Sequence, residues 1–220
     1  MITPLEIENY CVHHSKKSDS IFQELAERTL QFAPQVSHMQ VGPLEGALLS
    51  IITKMISAKR VLEFGTFTGC SSLHFLGALP ANGSITTLDR DPKAVSIARE
   101  FWDKTGNSNR VESLLGDAKA SVQKLLSEIS AGTRPHYDLA FIDADKGGYE
   151  EYFEASLKLV RTGGVVLVDN LLWEGAVLNP KEKSDFTIHT FNEKRKTDPR
   201  VEMVLLPVRD GISICRVLDH

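Results

Sequence analysis

Two short polar stretches, Asp143-Ala144-Asp145-Lys146 and Asp169-Asn170, each follow an apolar run that reads as a strand, Tyr137–Ile142 and Val165–Val168. Asp143, Asp169 and Asn170 together offer hard oxygen donors and no nitrogen or sulfur, a set suited to Mg²⁺, Mn²⁺ or Ca²⁺ rather than zinc. Taken singly, each acid also reads as an ordinary loop residue. Their shared position at strand C-termini, the ligand side of an open α/β sheet, is what favours the metal reading. Lys146, three residues past Asp143, is within reach of such a site as a base or proton acceptor.

A second chemical signal lies at Arg60–Ser72, where the apolar strand Val61–Phe64 runs into a loop with glycines at 65 and 69 and then a helix. Dinucleotide sites use Gly-x-Gly-x-x-Gly, so that bare backbone can approach a pyrophosphate. Here the spacing is Gly65-x-x-x-Gly69, and a carboxylate, Glu63, stands at the strand end. That charge opposes a diphosphate and favours a ligand carrying an ammonium and a sulfonium, which is S-adenosylmethionine. The competing reading makes Glu63 a solvated strand-end acid; Ser71 or Ser72 is expected to cap the following helix. Asp89 ends the next strand about 20 residues on, where an acid can bind ribose hydroxyls or merely cap a helix. Ala118 leaves room for an adenine ring, and Asp117 reads equally as an adenine contact or a helix cap. Trp173 reads as either the wall of an aromatic pocket or core. His74 and His189 read as packed or surface residues rather than ligands.

These residues need a frame that brings strand ends together. Helices are predicted from Pro4 toward His14, with Thr3 and Glu6 as a capping box, from Ser20 to Phe32, and over Leu44–Met55. Strands at 61–64, 84–88, 111–115, 137–142 and 165–168 then alternate with helices at 71–79, 92–105, 118–130 and 149–160, a βα order that implies a parallel sheet. After a loop over 171–184 and a helix near 186–196, Asp210-Gly211 between the apolar runs 201–207 and 212–218 signals a hairpin. Lys181–Lys183 and Asn192–Lys196 read as solvated faces. The expected fold is α/β, a doubly wound, mostly parallel seven-stranded sheet with one antiparallel strand. Residues 1–36 are expected to be a helical extension and 37–220 the catalytic core of a single domain.

With 220 residues, 42% of them hydrophobic, the chain can bury a full core. A net charge of −4 argues against nucleic acid as a substrate. Cys11, Cys70 and Cys215 are too scattered for a disulfide framework or zinc site, and the N-terminus has acids where a signal peptide needs basic residues. A cytoplasmic protein acting on a small molecule, with neither nucleic acid nor membrane as partner, is the expectation.

Met39-Gln40-Val41, Leu62-Glu63-Phe64-Gly65-Thr66-Phe67-Thr68-Gly69, Phe141-Ile142-Asp143-Ala144-Asp145-Lys146, Asp169-Asn170-Leu171-Leu172-Trp173 and Asp210-Gly211-Ile212 occur in an order and spacing that resembles the cation-dependent O-methyltransferases, which include the caffeoyl-CoA and catechol enzymes. The resemblance spans about Met39 to Leu218. It implies that Val41, Glu63, Gly65, Thr66, Ser71, Asp89, Ala118 and Asp145 contact S-adenosylmethionine, Glu63 at the amino group and Asp89 at the ribose. It also implies that Asp143, Asp169 and Asn170 hold the metal, that Lys146 is the general base, and that Met39, Asp143 and Trp173 meet the substrate. A homodimer and a small phenolic substrate are implied as well. Cys70 stands where the family usually has tyrosine, and the 174–184 loop departs from the plant enzymes. Two other readings remain at this point, an NAD-dependent oxidoreductase and a non-catalytic module that binds S-adenosylmethionine.

Overall fold

The structure, a computed structural model, describes residues 2–219. Two compact units make it up, residues 6–121 and residues 122–219 together with 2–5.

The first unit contains most of α1 (Leu5–His13), then α2 (Ser20–Phe32), α3 (Pro43–Met55), β1 (Arg60–Phe64), α4 (Cys70–Ala78), β2 (Ser84–Asp89), α5 (Pro92–Lys104) and β3 (Val111–Leu115). The three strands run parallel with β2 in the middle, and Glu63 lies opposite Thr87 in register. Proline at the first turn starts α3 and α5, and Asp91 caps α5 by accepting from the backbone N–H groups of Lys93 and Ala94. Ala94, Val95, Ile97, Ala98, Phe101 and Trp102 recur at helical spacing and form the buried stripe of α5. Leu62, Phe64, Phe75 and Ile85 complete this core.

The second unit contains most of α6 (Ala118–Ser130), then β4 (Tyr137–Ile142), α7 (Tyr149–Leu159), β5 (Val160–Val168), α8 (Lys183–Lys196), β6 (Val201–Leu206) and β7 (Ile212–Val217). Every residue of β4 is buried, as befits a parallel strand covered on both faces. β4 and β5 are parallel, and β7 is antiparallel to both β5 and β6. The strand order is β3-β2-β1 in the first unit and β4-β5-β7-β6 in the second, seven strands among the described residues, and β7 supplies the one antiparallel strand that was expected. Among the described residues no helix is long and apolar enough to cross a membrane.

Several local expectations are corrected. The first helix begins at Leu5, because the Thr3 hydroxyl donates to the carbonyl of Pro207 and is not used as a cap. β5 begins at Val160, directly after α7, because Val160 pairs with Tyr137 before the register shifts. The two runs read as solvated faces are partly structural. Glu182 is the N-cap of α8 and forms a reciprocal capping box with Asp185. Arg195 is buried, with its guanidinium over the rings of Phe153 and Phe191 and ion pairs to Glu150, Glu154 and Asp198. Acids contributed from outside α8 turn a face that looks charged in sequence into an anchored one.

His74 is a packed residue, as its helical context suggests. Its ring stacks on Phe22 with centroids 3.9 Å apart, and a Cβ on Gly46 would come within 2.0 Å of its Nε2. Burial pushes its pKa down from 6.5 to about 4, only partly opposed by the charge of Asp19. Above pH 6.5 both folded and unfolded chains carry a neutral imidazole there; below it the unfolded chain takes a proton that the folded one refuses. His74 should therefore remove about 1.5 kcal/mol of stability as pH falls from 6.5 to 5. Urea unfolding of wild type and His74→Gln at these two pH values measures it: the variant should lose less by about that amount, and equal losses would contradict the assignment.

Candidate active site

In the first unit the strand ends form a network of hydroxyls around a buried carboxylate. Glu63 is fully buried, so the solvated alternative is excluded. Ser71 donates to its Oε1 at 2.6 Å and Thr87 donates to its Oε2. With the Thr87 proton committed to Glu63, its oxygen accepts from the Thr66 hydroxyl at 2.5 Å. This network also corrects the expected cap: the N-cap of α4 is Gly69, in the left-handed region at φ 88°, while Ser71 serves Glu63 and Ser72 donates to the Gly69 carbonyl.

Asp89 grips the glycine loop. Its Oδ2 accepts from the backbone N–H groups of Thr66 at 2.9 Å and Phe67 at 2.8 Å, and its Oδ1 accepts from Asp91 N–H at 2.8 Å. Gly65, at φ 93°, donates its N–H to the Leu88 carbonyl and turns the chain out of β1. Val41 is buried, and its carbonyl accepts from the Cys70 thiol at 3.4 Å. Met39 lies at the end of a 3₁₀ turn, Ser37–Met39, and is exposed. Asp117 accepts from Lys119 N–H at the start of α6, the capping geometry, and Ala118 is the first residue of that helix.

In the second unit β4 and β5 deliver their polar ends to one cluster. Lys146 Nζ donates to Asn170 Oδ1 at 2.6 Å and to the Tyr149 hydroxyl, and lies 3.6 Å from Asp143 Oδ1. It also sits 4.5 Å from the ring centroid of Tyr149 and 5.8 Å from that of Trp173. The Tyr149 hydroxyl donates in turn to the main-chain carbonyl of Asp169 at 3.0 Å. Asp145 is turned differently: its Oδ1 accepts from the Tyr152 hydroxyl at 2.8 Å. Asn170 has φ 58°, a left-handed conformation that asparagine tolerates better than most residues. Burial raises the pKa of Asp143, and Lys146 and then Arg209 oppose the rise. Tyr149 is held well above its ordinary value, first by burial and then by the charges of Asp143, Asp169, Asp145 and Asp210.

Trp173 is half-buried, and nearby Asp185 has its pKa lowered chiefly by the backbone N–H groups of Glu182 and Lys181. The hairpin holds this segment: Asp210 accepts from Leu172 N–H through its carbonyl and from Glu174 N–H through Oδ1, at 2.8 and 2.6 Å.

The structure thus links Glu63, Thr66, Ser71 and Asp89 within one unit and Asp143, Lys146, Asp169 and Asn170 within the other. Sequence reasoning gave no site role to Thr87, Tyr149 or Asp210, the last of which it read only as a hairpin turn and part of a motif. The sequence does carry a faint signal for Tyr149, three residues past Lys146, and for Thr87, two residues before Asp89 on the same strand face.

Among the described residues no group of three or more histidine, cysteine, aspartate or glutamate side chains could hold a metal ion. The oxygen set at β4 and β5 has two carboxylates, with an amide as the third member. Hard oxygen donors, beside acids whose charges all act on Tyr149, fit a divalent cation of the Mg²⁺ type by their chemistry.

A family model described as O-methyltransferase matches residues 12–218. A caffeoyl-CoA O-methyltransferase of Populus kitakamiensis is 36% identical over 204 residues, covering 89% of this chain and 86% of that protein. Among solved structures, an O-methyltransferase from Bacillus cereus in complex with SAH superposes with a TM-score of 0.85 at 29% identity, covering 96% of this chain and 97% of that one. The O-methyltransferase TomG from Streptomyces achromogenes, involved in tomaymycin synthesis and solved in complex with SAM, gives 0.86 at 27% identity, with 97% and 96% covered.

Gly69 gives the sharpest test of the glycine loop. A Cβ there would lie 2.7 Å from that of Ala98, on a backbone at φ 88°. Gly69→Ala should cost about 1–3 kcal/mol in chemical denaturation; a loss below about 0.5 kcal/mol would show that the loop is not held as described.

Proposed function

The chain belongs to the O-methyltransferase family, and we propose that it transfers the methyl group of S-adenosylmethionine to one hydroxyl of a vicinal diphenol, aided by a divalent cation, of which Mg²⁺ is the simplest choice. S-adenosylmethionine-dependent O-methylation, an activity of the EC 2.1.1 class, follows from membership itself; the diphenol and the cation are the finer reading. Membership also sets aside the NAD-dependent alternative. The observation that carries the finer reading is the Asp143, Lys146 and Asn170 cluster beside Asp169, where hard oxygens and an amine meet at the ends of β4 and β5. The Populus relative's name, a caffeoyl-CoA enzyme, points to a phenolic acceptor.

In this reading Asp143, Asp169 and Asn170 hold the cation and, with Met39 and Trp173, orient the diphenol. When bound, the cation supplies Lewis-acid stabilisation of the developing phenolate. Lys146, entering this step as the neutral amine with its lone pair turned from Asn170 Oδ1 to the substrate, takes the proton of the hydroxyl to be methylated. The phenol oxygen then forms its bond to the methyl carbon as the sulfur–carbon bond breaks. On the cofactor side, Glu63 faces the amino group and Asp89 the ribose, with Val41, Gly65, Thr66, Ser71, Ala118 and Asp145 completing the contacts. The carboxylate of Glu63 and the left-handed turn at Gly65 are what support this half.

We read residues 1–220 as one catalytic domain with a helical extension at 1–36, working as a cytoplasmic homodimer without nucleic-acid or membrane partners. Ile7 and Tyr10, exposed on α1, support an interface there.

Transfer of labelled methyl from S-adenosylmethionine to catechols, including caffeic acid and its CoA thioester, should be abolished by EDTA and restored by Mg²⁺. Asp169→Ala, if folded, should lose about a hundredfold or more in turnover. Transfer indifferent to EDTA would remove the cation, and cofactor binding without transfer to any diphenol would favour the non-catalytic module.

A further inference from the structure

We propose that Tyr149 is a positioning residue for the reaction, its phenol oxygen holding the amine of Lys146 at the oxygen cluster; this rests on the reading of Lys146 as the proton acceptor. Tyr149 is fully buried at the first position of α7, and its ring meets Phe191 edge-on at 6.1 Å. A buried phenol must place its one proton and its lone pairs on partners. The proton is committed to the Asp169 carbonyl at 3.0 Å, which leaves the oxygen to Lys146 as an acceptor. The direction of both bonds is therefore set by the backbone of the loop after β5.

Lys146 has a second acceptor, Asn170 Oδ1 at 2.6 Å, and a longer ion pair with Asp143 at 3.6 Å. Both groups belong to the set proposed for the cation. Tyr149 alone among these partners has no part in that set, so it can keep hold of the amine when Asn170 and Asp143 are engaged elsewhere. Its ring, 4.5 Å from Nζ, further fixes the path of the lysine stem. Lys146 lies in the 3₁₀ turn Lys146–Gly148, which passes directly into α7, so the anchor and the group it holds share one rigid segment.

Tyr149→Phe removes the oxygen and keeps the ring. The first readout is independent of turnover: trace acetylation of the metal-free protein with acetic anhydride, followed by mass spectrometry, with Lys158 as an internal reference. Release of the amine should raise labelling of Lys146 about threefold or more. Asn170→Ala should leave it within about twofold of wild type, since Tyr149 still holds the amine. The second readout is kinetic: kcat should fall about tenfold with KM for S-adenosylmethionine unchanged, the signature of a misplaced proton acceptor rather than a damaged cofactor site. Unchanged labelling in folded Tyr149→Phe, an unchanged kcat, or release of Lys146 by Asn170→Ala instead would each overturn the proposal. If Tyr149→Phe does not fold, Asn170→Ala still decides: slow labelling supports the Tyr149 anchor, and fast labelling rejects it. Should the wild type transfer no methyl group to any diphenol, the functional reading fails, while the labelling still tests the anchor separately.

Discussion

Charge compensation at the ends of β4 and β5 is the constraint around which the second unit is built. Beyond burial itself, four carboxylates, Asp143, Asp145, Asp169 and Asp210, act on the single buried phenol of Tyr149. Burial raises a carboxylate's pKa unless cations intervene. Lys146 and Arg209 are the cations that oppose the rise at Asp143. The neighbouring acids are also tied down individually: Asp145 by the Tyr152 hydroxyl, Asp210 by the Glu174 N–H. A site with this excess of hard negative oxygen has a physical use for a divalent ion, and the left-handed Asn170 turns its amide toward the same cluster.

The first unit solves a related problem with neutral donors. Glu63 is fully buried, and the hydroxyls of Ser71 and Thr87 donate to its carboxylate, with Thr66 behind Thr87. Hydroxyls satisfy a carboxylate's lone pairs without cancelling its charge. These bonds fix the Glu63 carboxylate in one orientation at the end of β1. Asp89 plays a mechanical part beside it, holding the Thr66 and Phe67 amides so that the glycine loop keeps one shape.

Much of this was legible in the sequence because it rests on local pattern. The alternation of apolar strands and amphipathic helices located β1 to β4 and α2 to α7 within a residue or two, and Asp210-Gly211 marked the hairpin that makes β7 antiparallel. The metal-type oxygens and Lys146 could be picked out because strand C-termini are where such folds bind ligands. What escaped depends on partners distant in sequence. Thr3 and Ser71 look like caps, but their hydroxyls are claimed by Pro207 and Glu63. Arg195 looks solvated until the acids at 150, 154 and 198 gather round it. Tyr149 reads as one more aromatic opening a helix; its role exists only because the Asp169 carbonyl takes its proton.

The cation site proposed at Asp143, Asp169 and Asn170 is open to direct observation. Its most direct test is anomalous diffraction from crystals grown with Mn²⁺ and S-adenosylhomocysteine. One strong peak is expected about 2.0–2.3 Å from an oxygen of each of these residues, with Lys146 moved off Asn170 Oδ1. A protein that binds the cofactor product but shows no peak there, with Lys146 still bonded to Asn170, would contradict it.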